Sequence, residues 1–146
     1  MKIKEIKIKG FKKFKELNVE FNDDISVIVG ENESGKSSLL VALDIVLNQS
    51  IFNRSNSAFD RYLNKEEVLC FFENPSKDTL PRIDIEVFLN LGNSLKASEF
   101  SGFHYNNPKN NEFYCGIKFE YGFDMDFLND IDISEFAYNK VVPIEY

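Results

Sequence analysis

The chain has 146 residues, of which 43% are hydrophobic and 28% are charged, and its formal net charge is −7. This length and composition suit one globular core, and they exclude low-complexity and solenoid-repeat proteins. An acidic chain is not a general polyanion binder, so any contact with nucleic acid must come from a local patch or from parts outside this chain.

Two strands are predicted at the N-terminus. In MKIKEIKIKG, Ile6 and Ile8 share one strand face, among lysines that suit a solvated opposite face. In ELNVEF, Leu17 and Val19 alternate with polar residues, and Gly10 can supply a turn between the two segments. We expect an antiparallel hairpin.

A phosphate-loop pattern follows a short apolar run. The run ISVIV, Ile25–Val29, is nearly continuous in apolar residues, which predicts a strand buried on both faces. It leads into Gly30-x-x-x-x-Gly35-Lys36-Ser37, the spacing of a phosphate-binding loop. In such loops backbone N–H groups surround the phosphates, the lysine reaches their outer oxygens, and the serine hydroxyl binds Mg²⁺. The pattern predicts a site for a nucleoside triphosphate with Mg²⁺.

A helix is predicted after the loop, ending near LNQS, and its broad apolar stripe predicts that it is largely buried on a sheet. The stripe consists of Leu39, Leu40, Ala42, Leu43, Ile45, Val46 and Leu47.

The remaining sequence predicts a variable insert over 49–81 and an antiparallel β region over 82–146. The insert has little regular pattern beyond a possible short helix at KEEVLCFF. Strands are predicted at RIDIEVFLNL, EFYCGIKFEYGF and FAYNKVVPIEY, and turns at YNNPKNN and at the acidic DIDISEF.

The two cysteines and the hydropathy bear on location. Cys70 and Cys115 stand singly in apolar surroundings without metal-site spacing, so we expect two buried, reduced thiols. No apolar stretch approaches the ~18 residues that a membrane span needs. We expect a cytoplasmic protein with no membrane partner.

The segment Gly10-Phe11-Lys12-Lys13-Phe14, together with GENESGKSSLLVALDIVL, resembles the N-terminal lobe of ABC-type ATPases. The resemblance is to the DNA-maintenance branch, namely RecF, the SMC proteins and the OLD-family nucleases of phage defence, and it is specific over residues 1–48. It implies that Lys12 lies near the nucleotide, whereas the residues alone favour a solvated turn of charges. The implied cofactor-binding residues are Lys12, Gly30, Asn32, Glu33, Ser34, Gly35, Lys36, Ser37 and Ser38, with Ser37 as the metal ligand.

The resemblance also shows what this sequence lacks. We find no glutamine loop, LSGGQ-like segment, acidic strand end or switch histidine, and His104 lies in a predicted loop. We therefore assign no catalytic residue. The expected fold is α/β, a P-loop NTPase lobe of ABC type with an antiparallel β subdomain, truncated before the C-terminal lobe. As the resemblance implies, the whole protein would hydrolyse ATP, form a homodimer through its ATPase heads and contact DNA in repair, maintenance or phage defence.

Two other functions fit the same loop. A transporter's nucleotide-binding subunit shares it, although such subunits usually carry an aromatic residue that stacks on adenine where this chain has Lys12 and Lys13. The other is an interaction domain that binds no nucleotide. The sequence does not reveal the downstream effector, which could be a nuclease or a coiled-coil arm.

Overall fold

The computed structural model describes residues 2–48, 59–90, 115–123 and 132–143. Within these ranges one antiparallel sheet has the strand order β2-β1-β3-β4. The strands are β1 (Lys2–Phe11), β2 (Phe14–Glu20), β3 (Ile83–Asn90) and β4 (Cys115–Tyr121). The helices are α1 (Lys36–Asn48), α2 (Lys65–Glu73) and α3 (Ile133–Tyr138), with short 3₁₀ turns at Asp60–Tyr62 and Lys77–Thr79.

The core lies between one face of this sheet and α1. Alternation along each strand places its apolar side chains on that face, and burying one such aliphatic side chain contributes roughly 1.5–3 kcal/mol. The predicted hairpin is confirmed by the pairing of β1 with β2, and the predicted strands at RIDIEVFLNL and EFYCGIKFEYGF by β3 and β4. The buried side chains are Ile6, Ile8, Ile83, Ile85, Val87, Leu89 and Phe119 from the sheet, with Leu39, Ala42, Ile45 and Val46 from α1.

The predicted helix after the loop is confirmed, but it is buried on one side only. Leu39 and Ala42 face the sheet, whereas the side chain of Leu40 is 58% exposed. The apolar stripe is wider than the face that the sheet covers. The expectation of a largely buried helix was therefore wrong for the outer part of the stripe.

The prediction of a buried strand at Ile25–Val29 was wrong. These residues form no strand, and Ile25, Val27 and Val29 are 77%, 76% and 83% exposed. A strand needs a neighbour for its backbone groups. Both edges of β1 are taken by β2 and β3, and no described strand lies alongside the run.

The described part of the predicted insert, residues 59–81, is more regular than its sequence suggests. The expected short helix is confirmed as α2, whose N-cap is Asn64. Phe59, Leu63 and Phe71 are buried. Phe59 and Leu63 belong to the same core cluster as the sheet residues, and Phe71 is buried outside that cluster, so the segment is packed into the fold.

The predicted last strand, FAYNKVVPIEY, was wrong over its described residues. α3 covers Ile133–Tyr138, and the Asp132 side chain caps it by accepting from the Ser134 amide at 3.0 Å. The acids of DIDISEF thus include a helix cap, where we expected a solvated turn. Residues 139–143 have no regular structure. The predicted turn at YNNPKNN and the predicted loop around His104 lie outside the described residues.

The expectation of two buried cysteines was also wrong. Both thiols are free, but Cys70 is exposed on α2 and Cys115 is half-buried at the start of β4. Phe71, next to Cys70, is buried, whereas Leu69 on its other side is 58% exposed, so apolar neighbours in sequence do not imply a buried thiol. In the described ranges, no helix combines the length and the hydropathy that crossing a membrane would require.

Candidate phosphate-binding site

The phosphate-loop segment leads directly into α1. Residues 30–34 are exposed, a turn and bend cover residues 32–35, and the helix begins at Lys36. The backbone turns sharply before the helix, because Glu33 has φ +70° and Gly35 has φ +104°. Only glycine adopts the second value without strain. The Leu39 amide then donates to the Gly35 carbonyl at 2.9 Å, so the helical hydrogen bonds start at this glycine.

The ammonium group of Lys36 lies between the two ends of this loop. Its Nζ donates to the carbonyls of Gly30 at 2.5 Å and Glu31 at 2.6 Å, and to the Ser34 hydroxyl at 3.3 Å. All three acceptors are neutral. An anion bound in the loop would therefore meet a positive charge that no described carboxylate neutralises.

The first turn of α1 offers further donors. The amides of Lys36, Ser37 and Ser38 have no hydrogen-bond acceptor among the described residues, and the turn contains no acidic side chain. Unpaired N–H groups and the helix dipole both favour an anion at this end of a 13-residue helix. Phosphate oxygens fit this donor set.

The turn between β1 and β2 packs on the loop. Lys13 Nζ donates to the carbonyl of Glu33. A Cβ atom placed on Gly35 would lie 2.5 Å from Phe14 Cζ and 3.1 Å from Lys13 Cδ. No side chain larger than hydrogen fits there. Sequence reasoning missed Lys13 and Phe14 as loop contacts, although both stand in the motif that carried the resemblance.

Lys12 points to a different neighbour. Its Nζ lies 5.1 Å from the centroid of the Tyr62 ring and 5.8 Å from that of Phe11, and its amide donates to the Tyr62 carbonyl at 2.6 Å. The structure thus brings Lys13 to the loop directly and holds Lys12 over an aromatic ring. The assignment of Lys12 to the nucleotide stays a prediction.

Asn64 is a buried polar residue that sequence reasoning missed. Its side chain is almost inaccessible, at 2% residue exposure. Its Nδ2 donates to the Lys12 carbonyl at 2.9 Å, and its Oδ1 accepts from the amides of Glu66 and Glu67 at 3.0 and 3.2 Å. An Asn three residues before a Glu at the start of a helix indicates an N-cap. Nothing local indicates the bond to Lys12.

Two titratable side chains beside this turn have shifted pKa values. A hydrogen bond to Glu66, at 2.7 Å, raises the pKa of Lys15 above its usual value. Partial burial raises the pKa of Glu67, opposed by the charge of Lys15. Lys15 therefore pairs with Glu66 on α2, whereas Lys13 contacts the Glu33 carbonyl in the loop.

The described residues supply little for a metal ion. Among them, no group of three or more His, Cys, Asp or Glu side chains could hold one. Ser37 is exposed at the start of α1, so its hydroxyl is accessible. Mg²⁺ commonly keeps several waters and takes its other ligands from one or two side chains and from substrate phosphates. The donor set fits Mg²⁺ carried by a nucleotide and bound through Ser37.

Comparison with known proteins supports the same family. The model of the AAA ATPase domain family AAA_15 matches residues 1–140. The DNA replication and repair protein RecF of Bacillus cytotoxicus is 36% identical over 56 residues, which cover 38% of this chain and 15% of RecF. Endonuclease GajA of Bacillus cereus is 30% identical over 137 residues, covering 90% of this chain and 24% of GajA.

Two further similarities complete the comparison. The structural maintenance of chromosomes protein 3 homolog of Plasmodium falciparum is 30% identical over 113 residues, covering 66% of this chain and 10% of that protein. A solved structure from a study of ATP-driven dimerization and DNA-stimulated activation of SMC ATPases aligns with a TM-score of 0.46 and 19% identity, over 85% of this chain and 64% of that one. This chain spans a quarter or less of the length of each of these sequence relatives.

Proposed function

The chain belongs to the AAA ATPase domain family, and we propose that it is the ATP-binding segment of an ABC-type ATPase of the RecF, SMC and OLD-nuclease group. ATP binds with Mg²⁺ at the loop and the first turn of α1. In this proposal Gly30 and Gly35 allow the backbone to approach the phosphates, and Lys36 supplies charge. Glu33 and Ser34 contribute mainly backbone N–H groups, Asn32 and Ser38 lie around the triphosphate, Ser37 holds the metal, and Lys12 lies beside the nucleotide.

The position of Lys36 is the observation that carries this proposal. Its ammonium group lies between the two ends of the loop with neutral acceptors only, next to the unpaired amides of the first turn of α1. Charge-assisted hydrogen bonds to phosphate are stronger than those to carbonyls. Lys36 would therefore exchange its carbonyl acceptors for phosphate oxygens when ATP binds.

Hydrolysis needs more than this segment offers. Transfer of the γ-phosphoryl group requires a positioned water, a fully held Mg²⁺ and charge stabilisation in the transition state. The described residues contain no candidate acidic cluster for the metal. We propose that a C-terminal lobe supplies these groups and packs on the exposed run Ile25–Val29, which would give this run the neighbour that it lacks here.

The names of the relatives suggest that the whole protein acts on DNA. They include a DNA replication and repair protein, a chromosome-maintenance homologue and an endonuclease. We propose that the whole protein is cytoplasmic, contacts DNA in repair, maintenance or phage defence, and forms a homodimer through its ATPase heads.

Titration with Mg-ATP tests the proposal. The chain is expected to bind Mg-ATP weakly, as measured by thermal shift and calorimetry, and Lys36→Ala is expected to weaken binding by at least about tenfold. Because Lys36 lies at the surface, its loss should change the free energy of unfolding by about 0.5 kcal/mol or less. Lys15→Ala, which removes the same charge away from the loop, is the matched control.

A second measurement concerns turnover. Residues 1–146 are expected to show no ATP hydrolysis above background, whereas the whole protein should hydrolyse ATP and lose that activity with Lys36→Ala. Binding that Lys36→Ala leaves unchanged would refute the phosphate-loop assignment. Absence of any nucleotide binding would favour the interaction domain instead.

A further inference from the structure

We infer that the β1–β2 turn positions the phosphate loop, with Lys13 and Phe14 as its contacts and the buried Asn64 as its anchor. The inference rests on the proposed function of the loop. It assigns the two lysines different roles. Lys13 orients the loop backbone through its bond to the Glu33 carbonyl, whereas Lys12 is the residue predicted to lie beside the nucleotide.

The turn has an unfavourable backbone conformation that something must hold. Phe11 pairs with Phe14, which leaves Lys12 and Lys13 as a two-residue hairpin loop. Lys12 has φ +51°. Glycine, asparagine or aspartate usually occupies such a position, and a lysine there is strained. Strained residues persist only where the surroundings fix them.

Asn64 provides part of that fixation, beside the bond from the Lys12 backbone amide to the Tyr62 carbonyl. Its side-chain Nδ2 donates to the Lys12 carbonyl, and its backbone N–H donates to the Gly10 carbonyl at 2.9 Å. The same side chain caps α2 through Oδ1. One buried residue therefore joins the start of α2 to the end of β1 and to the strained turn, and none of its buried side-chain polar atoms lacks a partner.

On its other side the turn fixes one peptide group of the loop. Lys13 Nζ holds the carbonyl of Glu33, whose φ is +70°. In a trans peptide the C=O and the next N–H point in opposite directions. Holding the Glu33 carbonyl toward Lys13 therefore turns the Ser34 N–H toward the Glu31 side of the loop, where it donates to the Glu31 carbonyl at 3.2 Å. Ser34 N–H is one of the donors proposed for phosphate, and on nucleotide binding it would exchange the Glu31 carbonyl for a phosphate oxygen.

The Phe14 ring completes the contact. It lies against Gly35 so closely that a Cβ atom there would be 2.5 Å from Cζ. The ring and the Lys13 bond thus brace the loop at two adjacent places, immediately before α1. A shift of the turn would therefore move the loop backbone that leads directly into the first amides of α1.

Nucleotide affinity tests the role of Lys13. Lys13→Ala is expected to weaken Mg-ATP and Mg-ADP binding equally, by about threefold to fivefold, since the bond is exposed. Lys13→Arg should restore most of the affinity because it keeps a charged donor. Lys15→Ala, which removes a lysine two residues along whose partner is Glu66, should bind as wild type. A larger loss for ATP than for ADP in Lys13→Ala would overturn the positioning role.

A double-mutant cycle tests the anchor. Asn64→Asp keeps an N-cap for α2 but removes the donor to the Lys12 carbonyl. It should weaken Mg-ATP binding severalfold in the wild-type background and have little further effect in Lys13→Ala, because both act through the same turn. Additive losses would overturn the path through Lys13. If Asn64→Asp fails to fold, the comparison of Lys13→Ala with Lys13→Arg decides.

Amide hydrogen exchange without nucleotide separates this inference from the proposed function. Exchange at loop residues 31–35 should accelerate in Lys13→Ala and not in Lys15→Ala. If wild type binds no Mg-ATP but the exchange changes as expected, the proposed function fails and the positioning contact stands. If Mg-ATP binds and Lys13→Ala alters neither exchange nor affinity, the positioning contact fails and the proposed function stands.

Discussion

β1 and the run Ile25–Val29 have similar side chains and opposite surroundings. Ile6 and Ile8 are fully buried, whereas Ile25 and Val27 are more than three-quarters exposed. Both segments are rich in β-branched residues, which favour extended backbone. The difference is that β1 has β2 on one edge and β3 on the other, while the run has no strand beside it in the described residues. Apolar composition therefore indicates where a strand could form, and a neighbour decides whether it does.

The first prediction replaces one residue in each segment by aspartate. Ile8→Asp should lower the free energy of unfolding by about 4 kcal/mol or more, because an unpaired carboxylate would be buried in the core. Val27→Asp in this chain should change it by about 0.5 kcal/mol or less, since its side chain is in solvent. Urea unfolding measures both.

The same pair in the whole protein sharpens the comparison. If a further lobe packs on the run, Val27→Asp should become strongly destabilising there while Ile8→Asp changes little in its effect. A Val27→Asp variant that is severely destabilised already in the 146-residue chain would show that the run is buried, against the exposure described here.

The second prediction compares a glycine in the sheet, Gly10, with a glycine at the start of the loop, Gly30. A Cβ atom on Gly10 would overlap the backbone carbonyl of Arg82, and Gly10 has φ +63°. Gly10→Ala should therefore cost about 3 kcal/mol of stability. A Cβ atom on Gly30 would meet the Ser34 hydroxyl at 2.8 Å, which a side-chain rotation relieves.

Gly30→Ala should accordingly cost well under about 1 kcal/mol of stability, and its effect should be on Mg-ATP affinity. Thermal unfolding with and without Mg-ATP separates the two effects. Equal destabilisation by the two substitutions would mean that the loop is packed as firmly as the sheet.

These contrasts show which parts of the fold were predictable. Alternation in β1, β2 and β3 repeats often enough to indicate strands, and the helical spacing from Leu39 to Leu47 indicates α1. Such patterns arise from local geometry that every strand or helix shares. The exposure of Ile25–Val29 was unpredictable because it depends on a neighbour. α3 takes only residues 136–138 of the last predicted strand, and its N-cap, Asp132, is a helix-start signal that was interpreted from the sequence as part of a turn.

The candidate site was predictable in the same uneven way. The loop spacing placed Gly30, Gly35 and Lys36 at the start of α1, because a phosphate loop is one continuous segment. The contact of Lys13 with Glu33 and the anchoring bond of Asn64 join residues that are 20 and 52 positions apart. Sequence periodicity does not indicate contacts between residues so far apart in the chain, so these two contacts could be identified only in the structure.

The third prediction concerns the strained residue of the turn. Lys12→Gly should raise the free energy of unfolding by about 0.5 kcal/mol, because relief of the positive φ slightly exceeds the entropy that glycine adds to the unfolded chain. Lys12→Ala keeps the strain and should not stabilise. If Lys12 lies beside the nucleotide, both variants should lower the preference for ATP over ADP. If both variants keep the wild-type preference for ATP over ADP, the contact with the Tyr62 ring is the only role left for Lys12.

The last prediction uses Glu67, a carboxylate beneath the anchored side of the turn. Burial raises its pKa in the folded state, so the folded chain keeps this proton to a higher pH than the unfolded chain. The free energy of unfolding should then fall as pH rises through the interval between the two pKa values, and the loss should persist above it. Glu67→Gln removes this titration, and its stability relative to wild type should increase as the pH rises above 4.5, the ordinary pKa of the carboxyl group. The gain should be small, because the group is only partly buried. Glu73→Gln, at the exposed end of α2, is the control for net charge. Urea unfolding of the three proteins at several pH values gives the comparison, and a Glu67→Gln variant that loses stability relative to wild type as pH rises would show that this carboxylate is stabilised, not desolvated, beside the turn.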